Sequence, residues 1–253
     1  MQRVLVILAL LCSVAVAQTY LHSCNNSDES PTDYTSMACT LTVTGGAGHA
    51  IVAWGSYYQG GVGCEATAAS AADTAGNIYT IRTQATGVDV VDCNFLLVAT
   101  GVTGNTSNTV TVSWGVNASF VSVGAAEFSG VGVFDAAATP FNAARGAWTP
   151  PMSTTVTTAS AGDLLFGFGI TGGSGAGTVS PGTGFTGIAT GTSGVSVAEY
   201  ATGGAAGSNA VTVAATSGVG YGMLLAVALV PSSPPASYVP RHHGGTICCA
   251  KEQ

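Results

Sequence analysis

Between Thr109 and Trp114 the chain reads Thr-Val-Thr-Val-Ser-Trp, an unbroken alternation that puts Val110, Val112 and Trp114 on one side and hydroxyls on the other. Period-two patterning suits a strand with one buried face; a helix needs its apolar stripe every three or four residues. Val211 and Val213 repeat the pattern within 209–214. Leu164, Phe166, Phe168 and Ile170 share a face opposite Leu165, Gly167 and Gly169. Further strands are expected at 39–44, 50–56, 78–82, 95–100, 119–128, 154–158, 195–200 and 223–230. Turn signals separate them, among them Gly45-Gly46, Gly60-Gly61, Gly76-Asn77, Gly104-Asn105, Gly172-Gly173, Pro181-Gly182 and Gly203-Gly204. No segment carries a capped helical stripe. The expected fold is all-β, a two-layer β-sandwich of jelly-roll type with about twelve strands, built as one sandwich or as two fused smaller ones.

A faint internal echo bears on that choice. Gly48-His49-Ala50-Ile51-Val52-Ala53-Trp54-Gly55 resembles Gly162-Asp163-Leu164-Leu165-Phe166-Gly167-Phe168-Gly169. TVTVSWG followed by SFVSVGAAEF, within 105–128, resembles AVTVAAT followed by GYGMLLAVALV, within 209–230. A duplicated half-sandwich gives this, and so does low-complexity composition. The stretch 133–151, with Pro140, Pro150 and Pro151, is expected to cross from one sheet to another.

The N-terminus reads as an export signal. Met1-Gln2-Arg3 is a basic start, 4–14 is apolar, and Ala15-Val16-Ala17 is a small-x-small cleavage site. Residues 1–17 are therefore expected to be removed and the protein to be secreted or held at the cell surface. No membrane span is expected afterwards, because no later run reaches about 18 strongly apolar residues. The remaining organisation is a polar N-terminal extension (18–38), the sandwich (39–230), and a Pro-rich linker with C-terminal tail (231–253). Export puts the cysteines in an oxidising compartment. The simplest pairing is local, Cys24 with Cys39 and Cys64 with Cys93, although six cysteines allow 15 patterns. Cys248-Cys249 is read as a tail end without fixed role, an interchain link, or a metal site with His242 and His243.

Only 7% of the 253 residues are charged, and only five of them are basic. Five basic residues make no phosphate-tracking surface, which excludes nucleic acid as a partner. A 47% hydrophobic content also excludes a chain held open by charge. Within 40–230 the only basic residues are Arg82 and Arg145, so charge repulsion between copies is weak and strand-edge association is eased.

The elements DTAGNIYTI (73–81), AAEFSGV (125–131), TTASAGDLLFGFG (157–169) and GTGFTGI (182–188) form a pattern. It is similar to secreted bacterial Gly/Ala/Thr-rich β-sandwich proteins of mostly unassigned function, over roughly 40–230. These motifs are turns and strands, so the resemblance implies a fold and a compartment but no reaction and no site residue.

Catalytic signatures are lacking. No G-x-S-x-G elbow, H-E-x-x-H helix or phosphate loop occurs. For acid–base hydrolysis the best carboxylate pair is Glu127 and Glu199, each in an Ala-Glu-aromatic context; both are expected to be structural and not catalytic. Asp73, Asp89, Asp92 and Glu65 are the candidates for a calcium site, but Asp73-Thr74-Ala75-Gly76-Asn77 lacks the acidic density of a calcium loop, and an Asx turn explains Asp73 better. No cofactor or metal is expected. His22 and His49 read as strand-end histidines. Among the aromatics Trp54, Tyr57, Tyr58, Trp114 and Trp148, the Tyr57-Tyr58 pair beside Gly60-Gly61 is the candidate glycan contact, and Trp114 is expected in the core. Asn25, Asn105 and Asn117 open glycan-acceptor sequons.

These readings favour a non-catalytic extracellular structural protein, a surface, matrix or filament subunit whose partners are copies of itself. The alternative is a secreted carbohydrate-binding or adhesion module with a polysaccharide partner. A glycan-active enzyme ranks third.

Overall fold

The computed structural model describes residues 17–59, 64, 69–87, 92–144, 146–173, 176–190, 195–218 and 220–232. Among them lie strands and no α-helix, and every paired strand is antiparallel to its neighbour. The all-β sandwich expected from the alternation is present.

The first half contains β1 (Thr19–Asp28), β2 (Tyr34–Val43), β3 (His49–Tyr58), β4 (Ser70–Asp73), β5 (Thr80–Thr86), β6 (Asp92–Thr100) and the 25-residue β7 (Asn105–Ser129). The N-terminal part of β7 pairs with β2 and β4. Its C-terminal part enters a second sheet of order β1-β7-β3-β6-β5. Between the two parts Gly115 and Phe120 both have positive φ, which lets one strand serve two sheets.

The second half contains β8 (Val131–Ala137), β9 (Phe141–Ala143), β10 (Met152–Thr158), β11 (Leu164–Gly172), β12 (Val179–Pro181), β13 (Thr186–Thr190), β14 (Ser196–Thr202), β15 (Gly207–Ala215) and β16 (Tyr221–Pro231). Here β15 pairs with β10 and β12, while the other sheet runs β13-β14-β11-β16-β8 with β9 beside β16. Place for place, β2, β4 and the first part of β7 correspond to β10, β12 and β15. Likewise β1, β3, β5, β6 and the end of β7 correspond to β8, β11, β13, β14 and β16. Both sets occur in the same chain order with the same neighbours, so the internal echo marks a duplicated half. The stretch 133–151 is not a bare crossover: most of β8 and all of β9 form the edge of the second inner sheet. The segment read as a polar extension, 18–38, is likewise integral, supplying β1 and half of β2.

Each half is a small sandwich, and the two stack back to back, so the sheets form four layers with three cores. One core lies within the first half and includes Leu41, Ile51, Ala53, Phe95, Val110, Val112, Trp114 and Val123. The middle core joins the halves through Val52, Trp54, Leu96, Phe128, Leu164, Phe166, Phe168, Leu225 and Val227. The third includes Met152, Val156, Leu165, Val197, Val211, Val213, Leu224 and Ala226.

This arrangement explains two kinds of strand sequence. The outer strand β10 alternates buried and accessible residues because its outer face meets water. The inner strand β16 has Met223 to Leu229 all at 0% exposure, with alternate residues entering the middle and third cores. Strands buried on both faces read as continuous apolar runs.

Close packing across the inner sheets depends on glycine opposite an aromatic ring. Trp54 pairs directly with Gly124, and a Cβ on Gly124 would fall 2.2 Å from the Trp54 ring. The indole therefore lies flat over the neighbouring strand and reaches Phe166 at 5.5 Å between centroids. Gly172 and Tyr221 form the same kind of pair.

Both local disulfides form. Cys24–Cys39 ties β1 to β2 with Cα atoms 5.6 Å apart, and Cys64–Cys93 ties Cys64 to β6 with Cα atoms 5.0 Å apart. Cys248, Cys249, His242, His243, Asp89, Glu65 and most of the export signal lie outside the described residues.

Candidate functional site

The inner sheets of the two halves stand about 10 Å apart, the usual spacing for packed sheets. Over most of their area Trp54, Phe128, Phe166 and Phe168 bridge that gap. At one end the residues facing it shrink to serine and glycine, which are too short to fill it. A cavity of about 660 Å³ opens there.

On the first half, register fixes the lining. Ser27 of β1 pairs with Ser122 of β7, and Ser122 pairs with Ser56 of β3. Three hydroxyls thus stand side by side at the interstrand spacing of about 4.8 Å. Ser56 follows Val52 and Trp54 on the face that looks at the second half. One step nearer the rim, Glu29 follows Asp28, the partner of Val121, and Tyr58 pairs with Asp92. In sheet order, Glu29 follows the end of β1, Phe120 lies on β7, Tyr58 on β3 and Asp92 on β6, with a register shift that pairs Tyr58 with Ser119. Two carboxylates bracket two aromatic rings. Phe120 meets Tyr58 edge-on, with centroids 5.8 Å apart and planes at 87°.

The opposite wall comes from the second half: Ile170 to Gly173 at the end of β11, Ala176, Val195, Ser196 at the start of β14, and Tyr221 at the start of β16. Ile170 pairs with Ser196, and Gly172 with Tyr221.

Three properties set this cleft apart from the packed layer beside it. Ser56 and Ser196 are only 3% and 4% exposed, and both line the cavity. Phe120 is half exposed and holds φ at 50°, a conformation that costs a bulky residue about 1–2 kcal/mol. Among the described residues that line the cavity, Glu29 and Asp92 are acidic and none is Lys, Arg or His.

The sequence-derived candidates scatter. Tyr57, half of the expected glycan-contact pair, is buried at 1% exposure, stacked on Trp114 at 5.5 Å; burial pushes its phenol up. It points into the first core because strand alternation sends adjacent residues to opposite faces, so it cannot touch a ligand. Tyr58, 37% exposed, lines the cleft. Trp54 sits in the middle core. Trp114, 0% exposed, donates from Nε1 to the Tyr34 carbonyl at 2.9 Å, and Trp148 donates to the Gly220 carbonyl at 2.9 Å. Asn25 and Asn117 are exposed; Asn105 is partly buried and accepts from the Ser107 backbone N–H at 3.0 Å.

Glu127 and Glu199 do not come together. Glu127 shares the face of Ala125 towards the first core, and Glu199 that of Val197 towards the third, with the middle layer between them. Glu127 is fully buried and serves the β2–β3 turn. It accepts from the backbone N–H groups of Thr44 and Gly45 at 2.9 and 2.8 Å, and it pairs with His49 Nδ1 at 2.8 Å. Glu199 accepts one bond, from the Gly182 N–H at 2.7 Å, and its Oε1 finds no partner. Burial lifts its carboxyl to about 7 against that one stabilising bond. Asp163, at the place in the second half that His49 holds in the first, is also lifted to about 7, by burial and by the neighbouring Asp135 carboxylate.

Asp73 closes the turn that the sequence assigned to it. Asn77 donates to it from its backbone and side chain at 2.9 and 2.8 Å, Tyr79 Oη at 2.8 Å, and Asn108 Nδ2 at 2.9 Å. Burial pushes the carboxyl up, but the bonds from Asn108, Asn77 and Tyr79 outweigh it and hold Asp73 below the usual range. With its oxygens taken by donors, Asp73 has little left for a cation. Among the described residues no group of three or more His, Cys, Asp or Glu side chains is placed to hold a metal ion. Likewise, no helix among them is long and apolar enough to cross a membrane.

Sequence reasoning passed over Glu29, Ser56, Phe120, Ser122, Ser196 and Tyr221. The signal was a break in pattern: Ser56 and Ser122 fall on inward positions where large apolar residues are the rule. It becomes legible only once the inner face is known.

No protein-family profile, curated protein or solved structure matches the chain.

Proposed function

We propose that this chain is a secreted saccharide-binding module that holds its ligand in the cleft between its two halves. The observation that carries the reading is the lining: a row of serine hydroxyls at the interstrand spacing, with Tyr58, Phe120 and Tyr221 beside it. A sugar presents hydroxyls around its edge and C–H groups on its face. The serines suit the first and the rings suit the second. The two disulfides are compatible with an extracellular location.

We read the role as binding: Glu29 lies by β1 and Asp92 on β6, strands at separate places in the sheet, whereas glycoside hydrolysis needs two carboxyls facing one bond.

Retention on a panel of insoluble polysaccharides tests the reading. Wild type is expected to be retained by at least one of them. Phe120→Ala and Tyr58→Ala should each weaken that binding about tenfold, from the lost ring contact. Retention unaffected by both changes refutes the cleft as the site.

A self-associating structural role is the second reading. The water-facing rows of the outer sheets carry no charge: Thr40, Thr109 and Thr111 on one, Ser153, Thr155 and Thr157 on the other. Sedimentation of the secreted protein distinguishes the two, since polymers at micromolar concentration favour the structural role and soluble monomers oppose it.

A further inference from the structure

At the end of β11 opposite the cleft, two carboxylates meet without a base. We propose that Asp135 and Asp163 form a binding site for a calcium ion.

The duplication supplies the comparison. In β1 the register passes from the Tyr20–Phe128 pair to the His22–Glu127 pair and leaves Leu21 as an extra, bulged residue. In β8 it passes from Phe134–Leu229 to Ala136–Ala228 and leaves Asp135 at the same place. A bulge re-aims the side chain it carries. Ile51 pairs with Glu127 in the first half, and Leu165 pairs with Ala228 in the second. Leu21, His49 and Glu127 of the first half therefore become Asp135, Asp163 and Ala228. The first half sets one acid against one base, and the Thr44 and Gly45 N–H groups complete Glu127. The second half brings two acids together, and neither forms an ion pair with a base among the described residues.

Burial makes the pair consequential. Asp163 is 0% exposed, and neither of its oxygens accepts a hydrogen bond from a donor among the described residues. Its polar neighbour is the Asp135 side chain. Ionised carboxylates only accept hydrogen bonds, so two of them in contact are held by a proton or by a metal cation. A shared proton serves one oxygen of Asp163, whereas a cation bound bidentately serves both. Asp135 is fixed beside it, because its Oδ2 accepts from the Ala159 N–H in the β10–β11 turn at 2.7 Å. Asp135 is also partly exposed, on the edge strand β8, so an ion can reach the pair from solvent and keep some of its water. Calcium takes about six to eight oxygens, and backbone carbonyls and water complete shells that carry few carboxylates. Magnesium gives up its water reluctantly and is held less well by such a pair.

The experiment is thermal unfolding of the disulfide-intact protein at pH 8, first in chelator and then with about 5 mM calcium chloride or magnesium chloride. With a dissociation constant on the order of 0.1–1 mM, as in extracellular calcium modules, calcium should raise the midpoint by about 3 °C or more, and magnesium by less. Asp135→Asn keeps an acceptor for the Ala159 N–H and should abolish the calcium shift, as should Asp163→Asn. Asp135 is partly exposed at a bulge, so its variant keeps the test valid if the Asp163 change disturbs folding. Asp33→Asn, at an exposed acid of the first half, should leave the shift intact. No calcium shift in the wild type overturns the site, and if Asp163→Asn then melts higher than wild type, the pair holds a proton only. A calcium shift that survives both Asp135→Asn and Asp163→Asn overturns it as well, since the ion then binds elsewhere.

Discussion

Glu199 should make this protein more stable in mild acid than at neutral pH. Its side chain is fully buried, with one oxygen hydrogen-bonded and the other without a partner among the described residues. Ionising it there places a charge in a poorly compensated site, which is why its carboxyl rises to about 7 from an ordinary value of 4.5. A raised folded-state value means that the native chain binds the proton more tightly than the unfolded chain. The associated stability is therefore fully present below about 4.5 and is lost as pH rises through about 7. At 1.36 kcal/mol per pH unit, the loss is about 3 kcal/mol. Asp163, raised to about 7 by burial and the Asp135 carboxylate, acts with the same sign. Urea unfolding at pH 5 and pH 8 reads the effect. A loss of about 3 kcal/mol lowers the midpoint by roughly 1 M or more, since urea slopes run about 1–3 kcal/mol per molar. Glu199→Gln keeps an acceptor for the Gly182 N–H but cannot ionise, so it should remove that part of the slope. Equal midpoints at pH 5 and 8 in the wild type, or an unchanged slope in Glu199→Gln, would show that Glu199 is already ionised in the fold.

Three further outcomes follow from particular contacts. Gly124→Ala puts a methyl where the Trp54 ring lies, and overpacking of that kind costs about 1–3 kcal/mol, read as a lower melting temperature with loss of the near-ultraviolet tryptophan signal. Glu127→Ala strips the acceptor from Thr44, Gly45 and His49 and should cost about 3–5 kcal/mol in denaturant unfolding. Replacing Cys24 and Cys39 together by Ser opens a bridge with a sequence separation of 15, at a cost of about 3 kcal/mol, whereas an effect below about 0.5 kcal/mol would mean that β1 is held by its pairing to β7 alone.

Legibility varied with how local the cause was. The Asp73 turn was readable because Asn77 and Tyr79 lie within six residues. Trp114 was readable as core because it continues the alternation of Val110 and Val112. The Tyr57-Tyr58 pair was half readable: alternation guarantees that the two point opposite ways, but not which one faces the cleft. Glu127 and Glu199 looked alike in sequence because each sits in an Ala-Glu-aromatic context. They are not equivalent in the fold, since Glu127 lies on a strand corresponding to β16 and Glu199 on one corresponding to β6.

The amino-acid order alone determined the strand class, the turns and the two local bridges, because alternation, glycine and cysteine spacing act over a few residues. It also carried the duplication, as matching strands in matching order. Only the tertiary structure decided that the halves stack into four layers, and hence which strands lie inside. A continuous apolar run such as 223–229 states that both faces are buried but not what covers them. The cleft follows from the same stacking: serine on one strand is an ordinary residue, and becomes part of a cavity wall only where residues from two halves meet across a gap that their neighbours fill with aromatic rings.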